Sequence, residues 1–217
     1  MNKKEKVWKE KMKGKHCIIK ETYHTKDKLL DPNKILVNNI IGEQIKNYPQ
    51  YSKGTALILD TENMLTTKTL IKNGYPKNKI DIPNCIKETY ARLKVKKLGN
   101  IFNMYLSEYI NMISEYTGSI TTAFFDYCCS TDGNKDMKPL EDIQNYFNLK
   151  LPASGSLFAI TLCFRGKKSE RGMYEALTKV DKTITHYAHR NGYVALKEDG
   201  IAYKGGMFFV MYHILLN

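Results

Sequence analysis

The segment Gly54-Thr-Ala-Leu-Ile-Leu-Asp-Thr-Glu-Asn-Met-Leu-Thr-Thr-Lys-Thr-Leu-Ile-Lys-Asn-Gly74 constrains the fold more than any other part of the chain. Residues 56 to 59 (Ala-Leu-Ile-Leu) are a continuous apolar run, as a parallel strand requires when both of its faces are covered. At Asp60 the chain turns polar. Thr61, Glu62 and Asn63 offer side-chain oxygens that can cap a following helix, and Gly74 can supply the left-handed residue that ends it. Strand, polar loop and helix in this order place a ligand at the carboxyl end of the strand.

The remaining strand candidates extend that pattern. Lys79 to Asn84 reads as a short second strand, with Asn84 capping the next helix, and residues 100 to 116 carry Ile101, Met104, Tyr105, Tyr109, Met112 and Ile113 at helical spacing. Ser119 to Asp126 is a third strand, and Pro139 opens a helix with proline in its first turn. Ser156 to Arg165 is a further strand, and residues 170 to 191 form a long helix. The ending differs: strands from Tyr193 and from Met207 to Leu216 follow without a helix between them, and Glu198-Asp199-Gly200 has the composition of a hairpin turn. Expected is an α/β fold, a mostly parallel sheet with helices on both faces and a terminal antiparallel strand.

At 217 residues the chain suits one domain with an appendage, read as a basic, mainly helical extension over residues 1–52 and a main domain over 53–217. The net charge of +12 comes from 34 Lys and Arg against 22 Asp and Glu, and residues 1–30 hold ten lysines against four acids. A polyanion is the natural partner for this balance, and the basic amino-terminal arm is its expected footprint, with Tyr23, Tyr48 and Tyr51 placed to stack on bases. No apolar run reaches membrane-spanning length, and the basic start has no apolar stretch behind it; an intracellular location, cytoplasmic or nuclear, is expected. The five cysteines are odd in number and scattered, which suits reduced thiols, and they lack the spacing of a zinc site. His186 and His189 lie three apart without a third ligand, so no metal is expected. The sequence leaves oligomeric state open.

Acidic residues ending the strands at Asp60 and Asp126, together with a final antiparallel strand at Met207 to Leu216, resemble the Rossmann-like fold of class I S-adenosylmethionine-dependent methyltransferases. More narrowly, Leu59-Asp60 with Thr67 and Leu70, Ile80-Asp-Ile-Pro-Asn84, Phe125-Asp-Tyr-Cys128 and Phe164-Arg165 are similar to uncharacterised methyltransferase-like proteins of large DNA viruses and protists. The resemblance implies S-adenosylmethionine as cofactor and transfer of its methyl group, here to a nucleic acid, DNA or RNA. It assigns Asp60, Thr61, Glu62 and Asn63 to the amino acid end of the cofactor and Asn84 to its ribose, Asp81 lying within the strand and pairing elsewhere. Phe125-Asp126-Tyr127-Cys128 resembles loosely the Asp-Pro-Pro-Tyr loop of amino-methylating enzymes, so Asp126 would orient the nucleophile and contact the cofactor, and Tyr127 would stack on a base or on adenine.

Two features depart from the family. The first loop contains no glycine, although the family's loop uses a Gly-x-Gly turn for close approach of the backbone. This leaves an alternative: a catalytically inactive methyltransferase fold serving as a nucleic-acid-binding or scaffold subunit. The prolines of the Asp-Pro-Pro-Tyr loop are also missing, and Asp126 and Tyr127 can equally serve as an Asx turn and a core ring. Cys128-Cys129 has no local base or cation to activate a thiolate. Arg165, Lys167 and Lys168, with Arg171, follow a strand end and are candidates for substrate phosphates, or else an ordinary charged helix start.

Overall fold

The computed structural model describes residues 32–127, 129–134, 137–164, 170–203 and 206–217. Seven strands form one sheet: β1 Thr55–Ile58, β2 Ile80–Pro83, β3 Asn100–Phe102, β4 Ile120–Asp126, β5 Pro152–Cys163, β6 Tyr193–Tyr203 and β7 Met207–Leu216. Their order is β3-β2-β1-β4-β5-β7-β6. The first five run parallel, and β7 is antiparallel to both β5 and β6. Among the described residues the α-helices are, in sequence order, α1 Pro32–Asn47, α2 Leu65–Lys72, α3 Lys87–Lys96, α4 Leu106–Met112, α5 Pro139–Asn148 and α6 Glu170–Arg190.

Alternation along each strand divides the core in two. Leu57, Phe125, Phe158, Ile160 and Val210 face a cluster that holds residues of α4, α5 and α6, including Tyr109, Ile143, Tyr146, Phe147, Val180 and Ile184. Their strand neighbours Ala56, Ile58, Phe124, Leu157, Ala159, Phe209 and Met211 face a second cluster with Val37, Ile41 and Ile45 of α1, Leu70 of α2 and Leu93 of α3. Both faces of a parallel sheet must be covered, which is why its central strands carry apolar residues on both faces. Aromatic rings fill the first cluster edge to face, as in the Phe125–Phe158 pair at 5.2 Å and 82°.

The structure corrects four sequence expectations. Residues 100–102 are an edge strand, and the helix predicted there is confined to Leu106–Met112. Glu198-Asp199-Gly200 is no turn: β6 continues through it to Tyr203, with a shift of register between Lys197 and Asp199, where the Asp199 carboxylate accepts from the Gly200 N–H at 2.7 Å. That is a β-bulge, which uses the same polar and glycine residues as a turn. Third, α3 begins at Lys87 behind Ile86, and the Asn84 side chain accepts from the Ile86 N–H at 3.1 Å before the helix starts. Finally, Tyr51 is only 1% exposed and its hydroxyl meets the His213 ring, so it is closed to base stacking, whereas Tyr48 is 41% exposed.

Candidate functional site

A cavity of about 550 Å³ opens beyond the carboxyl ends of β1, β2 and β4. Leu59, Asp60 and Thr61 enter it from β1, Asn84 to Ile86 from β2, Met104 to Glu108 from the loop before and start of α4, Asp126 and Tyr127 from β4, and Asp142 and Asn145 from α5. Such convergence follows from the topology, because parallel strands deliver all their carboxyl ends to one rim.

Asp60 anchors the rim. Its Oδ1 accepts from the Thr61 N–H at 2.8 Å, and its Oδ2 accepts from the Thr67 N–H at 2.9 Å and the Thr67 hydroxyl at 2.7 Å. Burial pushes its pKa from 3.8 up to about 6, against the pull of the Thr67 and Thr61 hydrogen bonds, and the charge of Asp126 pushes the same way. The cap expected from Thr61, Glu62 and Asn63 is therefore supplied by the strand-end carboxylate. Met64 occupies the N-cap position without a side-chain bond, in a left-handed conformation at φ 51° and ψ 42°. This is the conformation glycine adopts without strain, and burial of the Met64 side chain in the second cluster holds it here.

Glu62 and Asn63 do not line the cavity. Glu62 instead pairs with Arg92 of α3, and its carbonyl accepts from Lys96. Asn84 does line the cavity and donates to the Asp60 carbonyl at 3.3 Å. Asp81 points away, accepting from Tyr109 Oη and from Asn100 Nδ2 at 2.8 Å. Asp126, at the end of β4, is paired with Lys34 of α1 at 3.1 Å. Tyr127 borders the cavity but is only 2% exposed, and its hydroxyl donates to Asp142. Burial raises the Asp142 carboxyl to about 6, partly offset by that hydrogen bond.

Arg165, Lys167, Lys168 and Cys128 lie outside the described residues, as do residues 1–31, which include the basic stretch of residues 1–30. Among the described residues no group of three His, Cys, Asp or Glu side chains could hold a metal ion. No helix there is long and apolar enough to cross a membrane. Sequence reasoning missed Lys34, Glu108, Asp142 and Asn145. They stand on helices whose direction only the assembled fold defines, and no local motif marks them.

The sheet order, the terminal antiparallel strand and the flanking helices define a Rossmann-like methyltransferase fold. Among solved structures, the chain is similar to Trm1 of Pyrococcus horikoshii in complex with S-adenosyl-L-methionine, with a TM-score of 0.62 and 9% identity over 86% of this chain and 56% of that one. It is also similar to the Methanococcus jannaschii fibrillarin pre-rRNA processing protein, with a TM-score of 0.56 and 10% identity over 82% of this chain and 75% of that one. The chain spans less than two thirds of Trm1, and 64% of another Pyrococcus horikoshii protein of similar fold. No protein-family model and no curated protein matches its sequence.

Proposed function

We propose that the protein is an S-adenosylmethionine-dependent methyltransferase acting on a nucleic acid. The observation that carries this reading is the meeting of Asp60, Asn84 and Asp126 at one cavity from the ends of three parallel strands. Trm1, a protein of the same fold, is solved with S-adenosyl-L-methionine, and both Trm1 and fibrillarin share this chain's strand architecture at low identity. A net charge of +12 favours a polyanionic acceptor.

The residues present fit the cofactor. A volume of about 550 Å³ lies within the roughly 300–1,000 Å³ common for small-molecule sites. Asp60, with a pKa of about 6, is ionised near neutral pH and would face the cationic amino acid end; Asn84 would take the ribose, and Ile86, Met104 and Leu106 would wall the adenine. The bound cofactor supplies a methyl group on a sulfonium, whose departure as a neutral thioether needs no general acid. The protein's part is alignment. In this reading Asp126 accepts a hydrogen bond from the acceptor's N–H or O–H and turns its lone pair toward the methyl group. Tyr127, held by Asp142, is a positioning residue that fixes the loop behind Asp126.

Calorimetry with S-adenosylhomocysteine tests the cofactor, and absence of both heat and thermal shift at millimolar ligand would overturn the reading. Nucleoside mass spectrometry after incubation with labelled cofactor and mixed DNA and RNA identifies the acceptor. The Lys34 contact to Asp126 favours a second reading, an inactive fold that binds nucleic acid without methylating it. Salt-dependent binding of nucleic acid without cofactor binding would select it.

A further inference from the structure

We infer that α3 is the surface that carries the phosphate backbone of a single nucleic-acid strand, next to the cavity mouth; this rests on the methyltransferase reading for the destination of the strand and for its being unpaired, not for the binding of its phosphates. Of the ten residues of α3, Leu93 alone is buried. By contrast, α5, also of ten residues, buries Pro139, Asp142, Ile143, Tyr146 and Phe147. A crossover helix ordinarily turns an apolar stripe to its sheet, so α3 contributes little packing for its length. Its composition serves another end. Residues 87–97 hold Lys87, Arg92, Lys94, Lys96 and Lys97 against Glu88, a net +4 out of the chain's +12.

The helix is also aimed at the site. Ile86, immediately before it, is 56% exposed and lines the cavity. Further along, Arg92 and Lys96 clasp Glu62, two residues beyond Asp60, so the loop of the site and the basic helix are fastened together. Tyr90 lies beneath Lys94, whose Nζ is 5.4 Å from the ring centroid. At 1.5 Å per residue the helix is about 15 Å long, room for a few phosphates.

Two arguments select the occupant. An acceptor atom must reach Asp126 inside the cavity, and a stacked, paired base cannot enter without leaving its duplex, which favours an unpaired strand. A membrane surface would require a continuous apolar face on α3, and only Ile86 and Val95 are exposed large apolar residues there.

Fluorescence anisotropy with a labelled oligouridylate strand, on the full chain, tests the assignment. The variant Lys87→Gln/Lys94→Gln/Lys97→Gln removes three exposed cations that do not line the cavity. Strand affinity is expected to fall roughly tenfold or more at about 0.1 M salt, and the slope of log affinity against log salt to shrink by about 2, at about 0.7 per phosphate contact on a single strand. S-adenosylhomocysteine binding stays unchanged. The single variant Lys87→Gln, with about a third of the slope change, serves if the triple variant fails to fold. Unaltered strand binding by the variants overturns the inference, as do absence of strand binding by the wild type, tighter binding of a duplex, or variant-sensitive binding confined to phosphatidylserine vesicles. Strand binding through α3 without S-adenosylhomocysteine binding upholds the inference and defeats the methyl-transfer reading.

Discussion

The carboxylate of Asp60, at the end of one strand's run, accepts from both the backbone N–H and the hydroxyl of Thr67, in the first turn of the next helix, at 2.9 and 2.7 Å. A single side chain thus satisfies an orphan donor at the helix start and stands in the cavity wall. Any change at Asp60 therefore acts on the stability of the fold and on the chemistry of the site together.

Asp60 and Asp142 impose a pH dependence on stability. Both carboxyls are raised from 3.8 to about 6 in the folded protein, chiefly by burial. Between about pH 4 and 6 the folded state binds more protons than the unfolded state, so their contribution is full at the acid end of that window and is lost as pH rises through it. Each shift amounts to roughly 3 kcal/mol. Urea midpoints at pH 4.5 and 7 should show this loss, and Asp142→Asn should lessen it; equal slopes in wild type and variant would refute the prediction.

Tyr127→Phe leaves the Asp142 carboxyl buried without its donor. The expected cost is about 1–3 kcal/mol. The Tyr127 hydrogen bond favours ionised Asp142, so the loss should be greater at pH 8 than at pH 5. Chemical denaturation at the two pH values checks the difference, and a pH-independent loss would contradict it.

Asp126→Ala should slow methyl transfer by about 100-fold, as expected when a group that aligns the reacting atom is lost. S-adenosylhomocysteine affinity should change far less, because Asn84 and the apolar wall remain. Single-turnover assays beside calorimetry separate the two effects. A variant with unimpaired turnover would remove Asp126 from the mechanism.

Gly54→Ala tests the entry to β1. An added Cβ would lie 2.5 Å from the Ser119 carbonyl oxygen and 2.6 Å from Thr121 Cγ2, so backbone must move. The expected destabilisation is about 1–3 kcal/mol, read from the denaturant midpoint. A midpoint equal to that of wild type would show that the strand start yields freely.

Much of the architecture was legible because the central strands are buried on both faces and so are mostly apolar, as in Ala56 to Ile58 and Leu157 to Ile160. Asn100-Ile-Phe102 escaped because three residues at an edge have no period of their own, and the helical spacing of Tyr105, Tyr109 and Ile113 extended over them. Asp60, Asn84 and Asp126 end three strands of one sheet, and a sequence shows strand ends. The pairing of Glu62 with Arg92 was not legible, since it joins residues 30 positions apart, and the left-handed conformation of Met64 was not, since its residue type gives no sign of it. Nor was the approach of Lys34 to Asp126, which joins residues 92 positions apart.

The slip of register at Lys197 and Asp199 lies on β6, one of the two edge strands of the sheet. A strand of eleven residues at an edge is a template on which another chain can crystallise into fibrils, since its outward backbone groups repeat evenly. The extra residue breaks that repeat midway and sets Lys197, Glu198 and Asp199 at the break. An intruding strand would lose its register there and meet charge, so the bulge blunts this edge against further pairing.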